Sequence, residues 1–275
     1  MNDPRDALKA IGQLADAEID IGNAALQLAR VDEPDADWQA AARHLSDLAQ
    51  AAVRRAVAMD GEDLPTRALA LSEVLAGEFG YTGDLETYDA PANANLIRVI
   101  ERRRGLPVAL GAIWLHAARA AGWASHGVDF PAHFLVALEG RKTQVVVDVF
   151  NGGRTMSARA LRDLLKRVEG DNSELRPGLL QPMSTRRVLL RLQNNIMSRR
   201  LQAGDVPGGL RCIEDILLIA PDQAELWRQA GAMNQTLEQV SAARVCYLRF
   251  LELVPEGLVA DGVRTQLDVL KSMLN

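Results

Sequence analysis

Between residues 126 and 150 the apolar residues abandon the helical spacing that governs almost all the rest of this 275-residue chain. His126–Leu138 and Gln144–Phe150 are rich in strand-forming residues, and Glu139-Gly140-Arg141-Lys142 between them reads as a hairpin turn. A single strand-rich island among helices sets the fold class as α+β: an N-terminal helical layer packed with a small antiparallel sheet.

The helical layer is legible from its period. Ile11, Leu14, Ala15 and Ile19 lead into Ala25, Leu26 and Leu28, and Asp35 and Asp37 precede a helix starting near Trp38. A third helix follows Pro65, with Leu69, Leu71, Val74, Leu75 and Phe79 on its apolar side and Gly80 as its stop. The turn-rich stretch 81–93 leads to Asn93, read as a cap for a helix starting near Ala94. The arginines Arg102-Arg103-Arg104 suit a helix C-terminus. Pro107 then fits the first turn of a new helix, where its missing N–H costs nothing, and Val108–Ala121 is apolar enough to be buried on most sides.

The hairpin permits a geometric inference. With Gly140-Arg141 as the loop, Glu139 faces Lys142 and, counting outward, His133 faces Asp148 on the same side of the sheet. Phe134, Val136, Val145 and Val147 fall on the other side and are apolar, so both faces are expected to be covered. A buried histidine held by a buried carboxylate is the base-and-orienter half of a nucleophile–base–orienter triad; equally, it is a satisfied core pair without chemistry. A metal site drawing on His126, Asp129, His133 and Asp148 is disfavoured. On one continuous strand His126 and His133 point to opposite faces, unless Pro131 introduces a bulge. His44 and His116 read as ordinary helix residues.

The C-terminal part repeats itself. Cys212 and Cys246, Leu217 and Leu251, and Pro221 and Pro255 each stand 34 residues apart. Each segment is an amphipathic helix closed by proline, at the period of tetratricopeptide helix pairs, which must stack to hide their apolar faces. Two pairs and a terminal helix are expected, with both cysteines as small core residues. Residues 1–175 and 176–275 are thus read as two domains.

With a net charge of −5, general nucleic-acid affinity is not expected. The polar start of the chain and the lack of a long apolar run argue against a leader and against a membrane span, and two cysteines do not make a disulfide framework. The expected location is the cytoplasm.

Several segments together carry a resemblance: Tyr88–Asn93 with Leu96, Arg103–Leu110, Gly127–Leu135 and Val147–Gly153. With the helical N-terminal region and the repeats, nearly the whole chain resembles the SirB family of bacterial transglutaminase-like proteins. That resemblance implies a cysteine-protease-like core in which a cysteine at the start of the buried helix attacks a carbonyl, its pKa lowered by the helix end. This sequence departs there. Pro107 stands at the nucleophile's place, no Ser or Thr replaces it between Gly105 and Trp114, and the only thiols lie in the repeats. Members of the family commonly lack the cysteine too. The expectation is a degenerate transglutaminase-like protein, without cofactor or metal, that binds a protein or peptide through its repeats and remnant cleft. The alternative is a thiol-independent amide or ester hydrolase with His133 as general base and Asp148 as its orienter.

Overall fold

A computed structural model describes residues 3–59 and 63–273. Helices α1 (Pro4–Gly12), α2 (Ile21–Asp32), α3 (Trp38–Val57) and α4 (Leu64–Ser72) come first, α4 continuing as a π-helical turn over Glu73–Glu78. Strand β1 (Thr82–Gly83), α5 (Leu96–Arg102), β2 (Arg104–Gly105) and α6 (Pro107–Ala120) follow. Strands β3 (Ser125–Phe130), β4 (His133–Glu139), β5 (Gln144–Asp148) and β6 (Arg154–Thr155) precede α7 (Ala158–Glu169) and β7 (Pro182–Met183). The rest is helical: α8 (Thr185–Gln202), α9 (Val206–Ile219), α10 (Ala224–Thr236), α11 (Val240–Leu253) and α12 (Leu258–Met273).

Side-chain caps explain the starts of the early helices. Asp3, Asp20, Asp37 and Asp63 each accept a backbone N–H in the first turn of the helix that follows. Gly80, at φ 74°, stands just past the π-turn, where left-handed backbone is cheapest for glycine.

Chain contacts divide into two compact units, one of residues 15–192 and one combining α1 with the chain from Gln193 on. This differs from the division after residue 175 expected above. The first helix belongs with the repeats because it packs along α9, where Arg5 meets the buried Asp215 at 2.7 Å.

In the unit of residues 15–192, α6 is the central element. Leu110, Ile113, Trp114 and Leu115 are fully buried, each contributing about 1.5–3 kcal/mol by leaving water. α2 and α3 pack on α6, which also packs on β4. The small antiparallel sheet expected from the sequence is present, and among the described residues it has five strands in the order β6-β5-β4-β3-β7, β6 and β7 being additions to the hairpin read there. The segment expected as one strand over 126–138 is two. Pro131 and Ala132, the latter at φ 49°, turn the chain so that Phe130 pairs with His133.

Both faces of the sheet are covered. Val128, Phe130, Leu135, Ala137 and Val146 share a core with Leu161 and Leu165 of α7. The other face meets α6 where Gly111 lies against the Phe134 ring: a β-carbon there would come within 2.1 Å of it.

In the other unit α9 and α11 are offset by 34 residues at both ends, which is the period read from the sequence. α10 packs on both, and α12 closes the array over Tyr247 and Phe250. Cys212 is buried and Cys246 half-buried, and the two do not form a disulfide. Burial pushes the Cys246 thiol above its ordinary value. No helix among the described residues is long and apolar enough to cross a membrane.

Candidate functional site

His133 opens β4 and Asp148 ends β5. The strands pair with Glu139 opposite Gln144 and Val136 opposite Val147. The loop is therefore Gly140–Thr143, centred one residue later than expected, and the register is displaced by two. His133 and Asp148 are diagonal neighbours rather than directly opposed. Because the shift is even, both side chains stay on the same face, and His133 Nε2 lies 2.9 Å from Asp148 Oδ1.

Asp148 is the cap of the 3₁₀ turn Val149–Asn151. Its Oδ1 accepts from the backbone N–H of Phe150 and Asn151, and Oδ2 accepts from the Asn151 amide at 2.7 Å. Burial pushes its carboxyl pKa up, but the hydrogen bonds from His133 and Asn151 outweigh this and hold it below the usual value. An ionised carboxylate only accepts, so the imidazole carries its proton on Nε2 and the neutral ring offers Nδ1 as an acceptor. Among the described residues nothing bonds Nδ1. The histidine side chain is 13% exposed. The ring stands edge-on to Phe150, which stands edge-on to Tyr88.

A second network braces the same region. Asp84, buried, accepts from Thr87, and Arg102 Nη2 reaches it at 2.6 Å. Arg102 Nη1 also donates to Asn93 Oδ1, and Asn93 donates to the carbonyls of Thr87 and Tyr88. Asn93 is thus a buried crosslink rather than a helix cap; the cap of α5 is Asn95. Arg102 stands in the last turn of α5, as read from the sequence, and its guanidinium also serves Asp84 and Asn93. Arg103, at φ 57°, closes α5 and turns to His44 and Tyr81.

Pro107 is the first residue of α6, after Leu106, and is buried. Its helix meets the pair through their neighbours, Phe134 at Gly111 and the turn that follows Asp148. Arg191 of α8 donates to the His133 carbonyl at 2.8 Å, ion-pairs with Asp129 and lies over the Phe134 ring. Neither Arg191 nor the Asp84 network was legible as part of this site. Arg191 lies 58 residues from His133 in the chain, on a helix with no local signal.

His126 pairs with Ala137 and so shares the face of His133, contrary to the single-strand reading, but four residues along β4, or about 13 Å. It is buried beside Glu139. Among the described residues no three potential ligands gather as a metal site. A cleft of about 660 Å³ opens beside Asp148 and Asn151, along Arg154 and the α7 residues Lys166 and Arg167.

The profile of the transglutaminase-like superfamily matches residues 39–194, and a tetratricopeptide repeat profile matches residues 196–273. A UPF0162 protein of Xylella fastidiosa is 32% identical over 94% of this chain and 92% of its own length. A UPF0162 protein of Vibrio cholerae is 29% identical, over 70% and 72%. Protein SirB1 of Salmonella typhimurium is 24% identical over 90% of each chain.

Proposed function

This chain belongs to the transglutaminase-like superfamily, and on that premise we propose that it is a non-catalytic member that binds a protein or peptide in the cytoplasm. The repeats supply one binding surface and the remnant cleft another. The reading rests on Pro107, which stands at the start of the buried helix α6, where the superfamily's mechanism needs a thiolate. Proline has no nucleophile to offer, and the chain's two thiols belong to α9 and α11. Stacked helix pairs present extended surfaces suited to peptide binding, and the α11 residues Val245 and Leu248 are exposed apolar side chains.

The test is affinity capture with the full-length chain as bait. Val245→Glu with Leu248→Glu is expected to abolish capture of the bound partner, and His133→Ala to leave it intact. Capture that survives the repeat substitutions and is lost with His133→Ala would overturn the reading.

A second reading is favoured by one observation, the unbonded Nδ1 of His133. A neutral imidazole oriented by a carboxylate can take a proton from water, which makes a thiol-independent amide or ester hydrolase the alternative. Screening the protein against activated esters and amides separates the two. Turnover that disappears in a folded His133→Ala variant supports the hydrolase; turnover that persists in that variant does not come from this pair.

A further inference from the structure

The cleft beside Asp148 holds more positive charge than its own carboxylates use. Its volume of about 660 Å³ falls within the ~300–1,000 Å³ typical of ligand sites. Four cations line it against three carboxylates. Asp148 is held by His133 and Asn151, and Asp163 lies 4.0 Å from Arg159. Among the described residues no carboxylate lies within ion-pair distance of the side chains of Arg154, Lys166 or Arg167, although Asp148 stands opposite Arg154 across the strands. This local surplus runs against the chain's net charge of −5.

We propose that this cleft receives an acidic peptide segment of the partner, whose carboxylates meet Arg154, Lys166 and Arg167. The proposal rests on the binding reading above and names the chemistry of what the cleft takes. The α7 wall from Ser157 to Arg167 is about 15 Å long, enough for four or five extended residues. Asp163 on that wall and Asp171 just beyond α7 would repel a continuous phosphate chain, whereas a peptide can place its carboxylates between them. Met156 adds an apolar contact.

The experiment is fluorescence anisotropy on the full-length protein with a labelled oligoglutamate peptide, against oligolysine and Gly-Ser peptides of equal length. Arg154→Glu with Arg167→Glu, both exposed positions, is expected to weaken oligoglutamate binding at least about tenfold without lowering the melting temperature. The same charge change at the exposed hairpin loop, Arg141→Glu with Lys142→Glu, is expected to leave binding unchanged. Equal losses in both variants would mean bulk electrostatics and overturn the proposal, as would no oligoglutamate binding at all. A labelled single-stranded oligonucleotide that outcompetes oligoglutamate overturns it too. Partner capture lost with the Val245 and Leu248 substitutions but indifferent to those at Arg154 and Arg167 would sink this inference alone, leaving the repeat-binding reading standing. Oligoglutamate binding that is lost on reversal at Arg154 and Arg167, with no partner captured by the repeats, supports the cleft alone.

Discussion

Asn151 grips Asp148 from the side that His133 leaves open: its amide bonds Oδ2 while the imidazole takes Oδ1. The carboxylate is thereby anchored by its own chain before it orients the ring. Asp148→Ala strips the buried N–H of Phe150 and the part-buried N–H of Asn151 of their acceptor and should cost about 2–4 kcal/mol in urea unfolding. Asn151→Ala removes one bond and should cost about 1 kcal/mol. It should also let the Asp148 pKa rise, since a hydrogen bond that favours the ionised form is gone. Carboxyl NMR titration of the variant reads that rise; an unmoved Asp148 would show that Asn151 does not tune it.

Gly152 and Gly153 carry the chain from Asp148 back into β6, both at positive φ, 71° and 77°. Their surroundings differ. A β-carbon at Gly153 would lie 2.0 Å from the Trp114 ring and 2.4 Å from Ser72 Oγ, whereas at Gly152 only Ala76 comes within 3.8 Å. Gly152→Ala should therefore cost only the backbone term, about 1–2 kcal/mol. Gly153→Ala adds overpacking against a buried Trp and should cost about 2–5 kcal/mol. Equal melting temperatures for the two variants would refute this account.

The contact between His133 and Asp148 was legible because strand parity survives an even error. Misplacing the loop centre by one residue moved the partner by two along β5, and a two-residue slip keeps the face. The split of residues 126–138 was not, because Pro131-Ala132 sits within an otherwise strand-like run and only the φ of Ala132 marks the turn. Repeats at a fixed period announce themselves, so α9 and α11 were found from Cys212, Leu217 and their counterparts. The Asp84, Asn93 and Arg102 crosslink was missed for the opposite reason. Asn93 before an apolar run has the signature of a cap, and nothing local says that Asn95 takes that role while Asn93 turns inward.

His44 should make stability depend on pH in a defined window. Burial, and then the positive Arg103 beside it, hold its ring pKa down to about 4. The unfolded chain takes up a proton near pH 6.5, which the folded ring refuses until about 4. Between those values the unfolded state binds more protons, so stability falls as pH falls across the window and this contribution levels out below it. His44→Gln has no proton to take up. The wild-type minus variant difference in unfolding free energy should slope between pH 6.5 and 4 and be flat above it. A flat difference throughout would mean that the ring titrates normally in the folded protein.

Arg5 spans two carboxylates of α9, Asp215 through Nε at 2.7 Å and Glu214 through Nη2 at 3.3 Å. Asp215 is buried, so its charge depends on this partner far more than that of Glu214, which water can solvate. The Arg5 side chain is itself 41% exposed, which limits the loss from Arg5→Ala to about 1–2 kcal/mol. Arg5→Lys should recover only part of it, because one ammonium cannot present the guanidinium's two fixed donors to both acceptors. Hydrogen exchange gives the readout: amides of α1 and the Asp215 turn of α9 should lose protection in Arg5→Ala, with those of α12 unchanged. Uniform loss across the unit would mean that α1 is part of its cooperative core, and no loss would mean that Gly12 packed on the Leu218 carbonyl suffices to hold the helix.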